Sequence, residues 1–129
     1  MGDEKENADV KIIRKGETRA TQGDTFTGEV WLQRVVDPQR EGGMGLSVVK
    51  FENGARTHWH MHPGEQILFV LEGEGRVGDE EDETMIYPGD VIYTGPGEKH
   101  WHGAAPGKNM AHISITNVGP PEWYDAPTE

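Results

Sequence analysis

All six histidines of this chain fall between positions 58 and 112: His58, His60, His62, His100, His102 and His112. There is no cysteine, so disulfides, thiolate nucleophiles and cysteine-zinc sites are excluded together. What remains is imidazole chemistry. Neutral imidazole is a favoured ligand of first-row transition metals, and a group that titrates near neutrality also suits proton transfer. The spacing adds geometry. Alternate residues of a β-strand share a face, so His60 and His62 project together, and His58 joins them if the strand runs back that far. His100 and His102 pair in the same way. Two such strands lining one barrel interior bring three or four imidazoles around a point. A buried group of imidazoles with neither a metal nor acidic partners is costly to protonate, so the pattern points to a metal. Glu65 and Gln66 follow His62 within a few residues. In a strand that starts near Gly64 they face opposite sides, so one of them reaches the metal, and spacing alone does not choose which.

The elements that must hold these groups are strands. The chain has 129 residues, one domain's worth, with 18 glycines and 8 prolines. Glycine at about twice its usual share cuts the chain into short segments and disfavours long helices. Segments of strand character recur between turn signals: Val10–Ile13, Thr25–Val36, Gly45–Phe51, Thr57–His62, Gln66–Leu71, Gly75–Val77, Thr84–Tyr87, Val91–Thr94, His100–Gly103 and Met110–Val118. Asn53-Gly54 reads as a turn. This spacing predicts an all-β sandwich or barrel over residues 10–118. Residues 1–9 are charged, lack apolar periodicity and are expected to be disordered. Residues 119–129 (GPPEWYDAPTE) read as an extended C-terminal arm whose Trp123 docks on a neighbouring chain. Trp59 and Trp101 sit beside proposed ligands and therefore face the other side of their strands, in packing roles. Trp31 belongs to a core or interface strand. The acidic run Asp79–Glu83 reads as a solvated hairpin loop, since it lacks the glycine and spacing of calcium loops.

Charge narrows the partners. Lysine and arginine number 12 against 23 aspartates and glutamates, a formal charge of −11. Such a surface repels phosphate backbones, which argues against nucleic-acid binding. The longest aliphatic or aromatic run, Ile67 to Leu71, is too short to span a bilayer as a helix. The acidic N-terminus does not resemble a secretion signal, so the expected location is cytoplasmic, without a membrane role. Small sandwiches have edges that association covers. The expectation is a homo-oligomer, a dimer rather than a tetramer.

The histidine segments resemble the cupin superfamily, whose fold is a double-stranded β-helix or jelly roll. The first cupin motif, G-x5-H-x-H-x3-4-E-x6-G, is matched by Gly54, His60, His62, Gln66 and Gly73, with Gln66 in place of glutamate. That register favours Gln66 over Glu65. The second, G-x5-P-x-G-x2-H-x3-N, is matched by Gly89, Gly97 and His100, with Gly95 replacing proline and Ala104 replacing asparagine. The stretches Phe51–Thr57, Glu72–Gly75, Glu98–Pro106 and Met110–Ile115 are further similar to a group of small cupins. That group includes bacterial manganese-dependent hydroxynitrile lyases and carboxymuconolactone-decarboxylase-like cupins. The resemblance implies metal ligands at His60, His62, Gln66 and His100, and active-site histidines at His102 and His112. His58 departs from the group, where alanine is more usual, and is a possible pocket residue.

The implied cofactor is one divalent transition metal per chain. Manganese(II) is the first expectation from the resemblance, and iron(II), nickel(II) or zinc(II) also suit the ligands. The implied activity is a lyase that splits a cyanohydrin into a carbonyl compound and cyanide, with the metal as Lewis acid and histidine as base. Two alternatives use the same residues: an iron-dependent oxygenase of a small substrate, and a non-enzymatic module that binds a metal or small ligand.

Overall fold

The computed structural model describes residues 10–14, 20–21 and 24–128; the segment expected to be disordered, residues 1–9, lies outside them. Thirteen strands follow one another with no helix among the described residues: β1 Ala20–Thr21, β2 Phe26–Thr27, β3 Val30–Val36, β4 Gly45–Phe51, β5 Arg56–Thr57, β6 His60–Met61, β7 Gln66–Gly73, β8 Gly75–Gly78, β9 Glu83–Ile86, β10 Val91–Thr94, β11 Trp101–Ala104, β12 Met110–Thr116 and β13 Glu122–Trp123. They form a six-stranded sheet in the order β1-β3-β4-β12-β7-β10 and a five-stranded sheet in the order β2-β5-β11-β8-β9; β13 pairs with β6. Every pairing is antiparallel. The two sheets face each other as a jelly roll.

Three departures from the sequence reading have local causes. Val10–Ile13 is not a strand. Its residues lie exposed without a ladder partner among the described residues, because three apolar residues and Lys11 with no sheet edge to join cannot hold an extended pairing. The expected Thr25–Val36 strand breaks at Gly28, whose φ is +90°. There the chain leaves one sheet for the other, and a Cβ at Gly28 would lie 2.8 Å from that of Ala55. The Thr57–His62 strand is likewise two pieces, β5 and β6. The turn at Asn53-Gly54 is present, both residues at positive φ, the geometry that Asn-Gly pairs favour between strands.

The interior is polarised along the strands. On β4 the inward residues are Gly45, Ser47, Val49 and Phe51; on β7 they are Gln66, Leu68 and Val70. The core cluster of Val30, Val49, Phe51, Ala55, Val70, Ile86, Ala104 and Met110 fills one end of the barrel. The same strands carry Ser47, Gln66, His102, His112 and Ser114 at the other end. Alternation alone thus builds a dry end that holds the fold and a polar end that gathers the imidazoles.

Candidate metal centre

Two of the candidate ligands are set by backbone pairing. His60 and His100 form an isolated antiparallel bridge, His60 N–H donating to His100 O at 2.9 Å and His100 N–H to His60 O at 2.8 Å. The Gly97 amide holds the His62 carbonyl at 2.8 Å. Each paired imidazole is then aimed by a carbonyl two residues back: His60 Nδ1 lies 2.9 Å from His58 O and His100 Nδ1 3.0 Å from Glu98 O. A carbonyl only accepts, so both Nδ1 atoms carry the hydrogen and both Nε2 atoms present lone pairs. Such outer contacts fix tautomer and ring direction in metal sites. One ligand atom from each of His60, His62 and His100 lies within 4.8 Å of the others.

Gln66 lies beside this group. Its Nε2 donates to Ser114 Oγ at 3.0 Å, which turns Oε1 toward His100 Nε2 at 2.8 Å. An acceptor oxygen thus faces an acceptor nitrogen at hydrogen-bond distance. Two lone pairs repel there unless a cation lies among them. His62 adds to the test: neither of its buried ring nitrogens has a hydrogen-bond partner. Lone pairs that converge without protons suit a divalent ion, and nitrogen plus amide oxygen suits first-row metals. Glu65 faces away. It is exposed, and its carboxylate accepts from the Tyr93 hydroxyl at 2.7 Å.

Burial keeps these imidazoles neutral. It drives His60 down to about 2, with the nearby His100 adding to the fall, and His62 down to about 4 for the same two reasons. His100 is lowered by burial as well. Desolvation disfavours the charged imidazolium, and each neighbouring imidazole makes it worse.

Behind these three histidines lies a second pair. His112 Nε2 is 3.0 Å from His102 Nδ1, and Phe51 packs edge-on against His102 at 6.0 Å between ring centres. Burial brings His112 to about 4, and burial with four surrounding imidazoles holds His102 well below its ordinary value. His102 lines a cavity of about 500 Å³ beside His60, His62 and Gln66, whereas His112 is fully buried and lines none of it. His58 does not line the cavity either. Its side chain is half-buried, and its contribution is the carbonyl that orients His60.

Some residues of the site escaped the sequence. Ser114 holds Gln66, and Thr57 Oγ1 accepts the His102 amide at 3.1 Å. Trp123 is a correction. It docks on its own chain, with its ring 4.5 Å from His60 and 6.3 Å from Phe26. The reason is β13: Trp123 pairs with His60 and Glu122 with Met61, and Tyr124 N–H donates to Trp59 O at 2.8 Å. The arm therefore folds back over the cavity, with Gly119, Pro120 and Pro121 along its rim. Trp101 does face away from the site, as its position beside His102 requires.

Residues 47–116 match the family model described as a cupin domain. The chain is 42% identical over 111 residues, covering 82% of it and 83% of the relative, to a protein of Granulicella tundricola named (R)-mandelonitrile lyase. A crystal structure of a cupin-like protein from Thermotoga maritima superposes with a TM-score of 0.79 at 38% identity, over 93% of this chain and 92% of that one. A polyketide cyclase of Streptomyces resistomycificus, 17% identical, shares the fold with a TM-score of 0.74 over 92% of this chain and 87% of its own. With both motifs, both sheets and the histidine cluster in their places, this chain belongs to the cupin family.

Proposed function

We propose that this cupin is a manganese(II)-dependent lyase that splits cyanohydrins into a carbonyl compound and hydrogen cyanide. The observation that carries the reaction is the 42% identity to a protein named (R)-mandelonitrile lyase. The metal would be held by His60, His62, His100 and Gln66. Four neutral ligands leave a divalent ion its full charge, and when bound it supplies Lewis-acid polarisation of a substrate oxygen or nitrogen.

The chain's own groups would move the proton. With His102 Nδ1–H donating to His112 Nε2, His102 Nε2 keeps its lone pair without a protein partner, on a side chain that lines the cavity. It takes the proton of the substrate hydroxyl. The carbonyl forms as the carbon–carbon bond breaks, and the electron pair of that bond leaves with cyanide. The proton on His102 then passes to cyanide. Burial serves both halves of this exchange, because it keeps His102 neutral before the reaction and makes the imidazolium a willing donor after it. His112 acts through His102 as a positioning residue. Phe26, Leu32, Val49 and Trp123 wall the remaining space and suit an aryl or alkyl substituent.

The test is metal content followed by turnover. Protein purified without chelator or metal-binding tag is expected to hold or take up one manganese per chain, and then to release benzaldehyde from mandelonitrile. His60→Ala should lose metal and turnover together; His112→Ala should keep the metal and lose most of the turnover. A metal-loaded chain that leaves mandelonitrile intact would overturn the reaction.

The outer face of the six-stranded sheet supports a proposal on assembly. Phe69 pairs with Val91 and with Ile113, and Ile67 with Tyr93 and Ile115, so these side chains stand in adjacent rows. Phe69 is 40% exposed and Tyr93 60%. A flat apolar patch of this kind on a chain of charge −11 suits a second copy of itself, joined about a two-fold axis. Light scattering should give a dimer, and Phe69→Glu a monomer. A monomeric parent chain would remove the proposal.

A further inference from the structure

The cavity has two poles, and only one of them is the histidine cluster. None of the twenty residues lining it is acidic, in a chain with 23 aspartates and glutamates. The neighbouring cavity on the far side of His100, by contrast, is lined by Asp79, Asp82 and Glu98. The cavity beside the cluster carries one guanidinium, that of Arg34. Cross-strand register places it. Arg34 on β3 pairs with Ser47 on β4, and Ser47 with Ser114 on β12. Arg34 Nη1 donates to the buried Ser47 Oγ at 3.2 Å, and Nε donates to Asp37 Oδ1 at 3.2 Å. Gly45 leaves room for this, since a Cβ there would lie 3.0 Å from Nη1. Among the described residues Nη2 has no hydrogen-bond partner. On the other side of the row Ser114 Oγ accepts from Gln66. The polar track therefore runs Gln66, Ser114, Ser47, Arg34, and Arg34 stands at its far end, on a strand three spacings, roughly 14 Å, from that of Gln66.

We propose that this pole is a carboxylate site, so that the ligand of the cavity is a small acid with a hydroxyl or carbonyl oxygen at its far end. The carboxylate sits on Arg34, which is held by Ser47 and Asp37. The distal oxygen reaches the histidine cluster, and the carbon frame lies against Leu32, Val49 and Phe26. A guanidinium suits this task because its planar fork keeps donors free after two are committed to protein. The overall acidity of the chain does not prevent it. A Debye length of about 8 Å screens distant surface charge, while the guanidinium and a bound divalent ion act at contact. The inference rests on the metal reading of the cluster and not on cyanide chemistry.

The experiment titrates the manganese-loaded chain by calorimetry with two probes, 4-formylbenzoate and its uncharged methyl ester. The parent chain should bind the carboxylate about tenfold or more tighter than the ester, as a charge-assisted hydrogen bond provides. Arg34→Gln should erase that preference and leave metal content unchanged, and Arg34→Lys should restore part of it. Equal affinity of the parent for both probes, or a preference that survives in Arg34→Gln, overturns the proposal. Metal uptake is measured separately by mass spectrometry. If no metal binds, the reading of the histidine cluster fails, and the same carboxylate-against-ester comparison on that chain still decides the role of Arg34.

Discussion

Strand β11 separates two clusters of nitrogen-rich side chains, one on each face. Inward, His102 joins His60, His62, His100 and His112. Outward, the Trp101 indole lies between two buried guanidiniums, Arg56 at 5.0 Å and Arg76 at 5.3 Å from its ring centre. The outer cluster is satisfied by protein. Arg76 Nε donates to Ala104 O at 2.7 Å and Nη2 to Gly54 O at 3.3 Å, Nη1 lies 3.7 Å from the Glu83 carboxylate, and Arg56 Nη2 donates to Pro127 O at 3.1 Å. The inner cluster is not, since four buried ring nitrogens of His62, His102 and His112 lack a partner. Burying polar groups is costly either way. Where the fold itself meets the cost, the cluster serves structure. Where it leaves the cost open, the cluster awaits something from outside the chain.

Acid should break the symmetry most strongly. An imidazole whose folded pKa is depressed binds its proton more readily in the unfolded chain. Stability is therefore intact above about 6.5, the unfolded value, and falls as the pH drops toward the folded value. For His112 that window closes at about 4. One such group removes about 1.4 kcal/mol per pH unit within the window, and the lowered values of His60, His62, His100 and His102 act in the same direction. The metal-free chain should unfold in mild acid, since the total approaches the whole stability of a small domain, about 5–15 kcal/mol. Manganese should move the acid midpoint lower, because bound nitrogen cannot take a proton. Circular dichroism against pH, with and without metal, checks both. A midpoint that ignores metal would mean that the inner cluster is merely buried.

Arg76→Met tests the outer face. It strands the Ala104 carbonyl, frees Glu83 and removes one side of the stack on Trp101. A loss of about 3 kcal/mol is expected in denaturant unfolding, with metal stoichiometry unchanged. Loss of metal binding in this variant would show that the two faces are not separable. Gly103 explains why the guanidiniums approach so closely: a Cβ there would lie 2.4 Å from that of Arg56.

What the sequence disclosed follows the range of each interaction. His60 with His62, and His100 with His102, are two apart in chain that runs through or beside β6 and β11, so a periodicity of two was enough to pair them. The cupin motifs then joined the two segments and selected Gln66 over Glu65. Register between distant strands was not legible. Nothing near Arg34 announces that it stands beside Ser47, and nothing near Gln66 announces Ser114, because hydrogen bonds across 13 and 48 positions of chain depend on how the sheet closes. The arm misled for a related reason. A proline-rich tail with Trp123 carries no signal for where it lands, and the two-residue β13 is too short to read.

That arm touches both clusters and gives the mildest test. Trp123 lies on His60 inside, Pro127 O takes Arg56 outside, and Lys99 Nζ sits 4.8 Å from the Tyr124 ring between them. The indole is 37% exposed, so Trp123→Ala should cost about 1–2 kcal/mol, less than a fully buried aromatic. The effect should stay local. Amide exchange should quicken at Trp59 and Tyr124, whose N–H groups tie the arm down through Asp125 O and Trp59 O, and stay slow along β11. Were β11 to exchange faster as well, the arm would be part of what holds the two faces apart, and the division between a cluster satisfied by the fold and one left open would have to include the segment that bridges them.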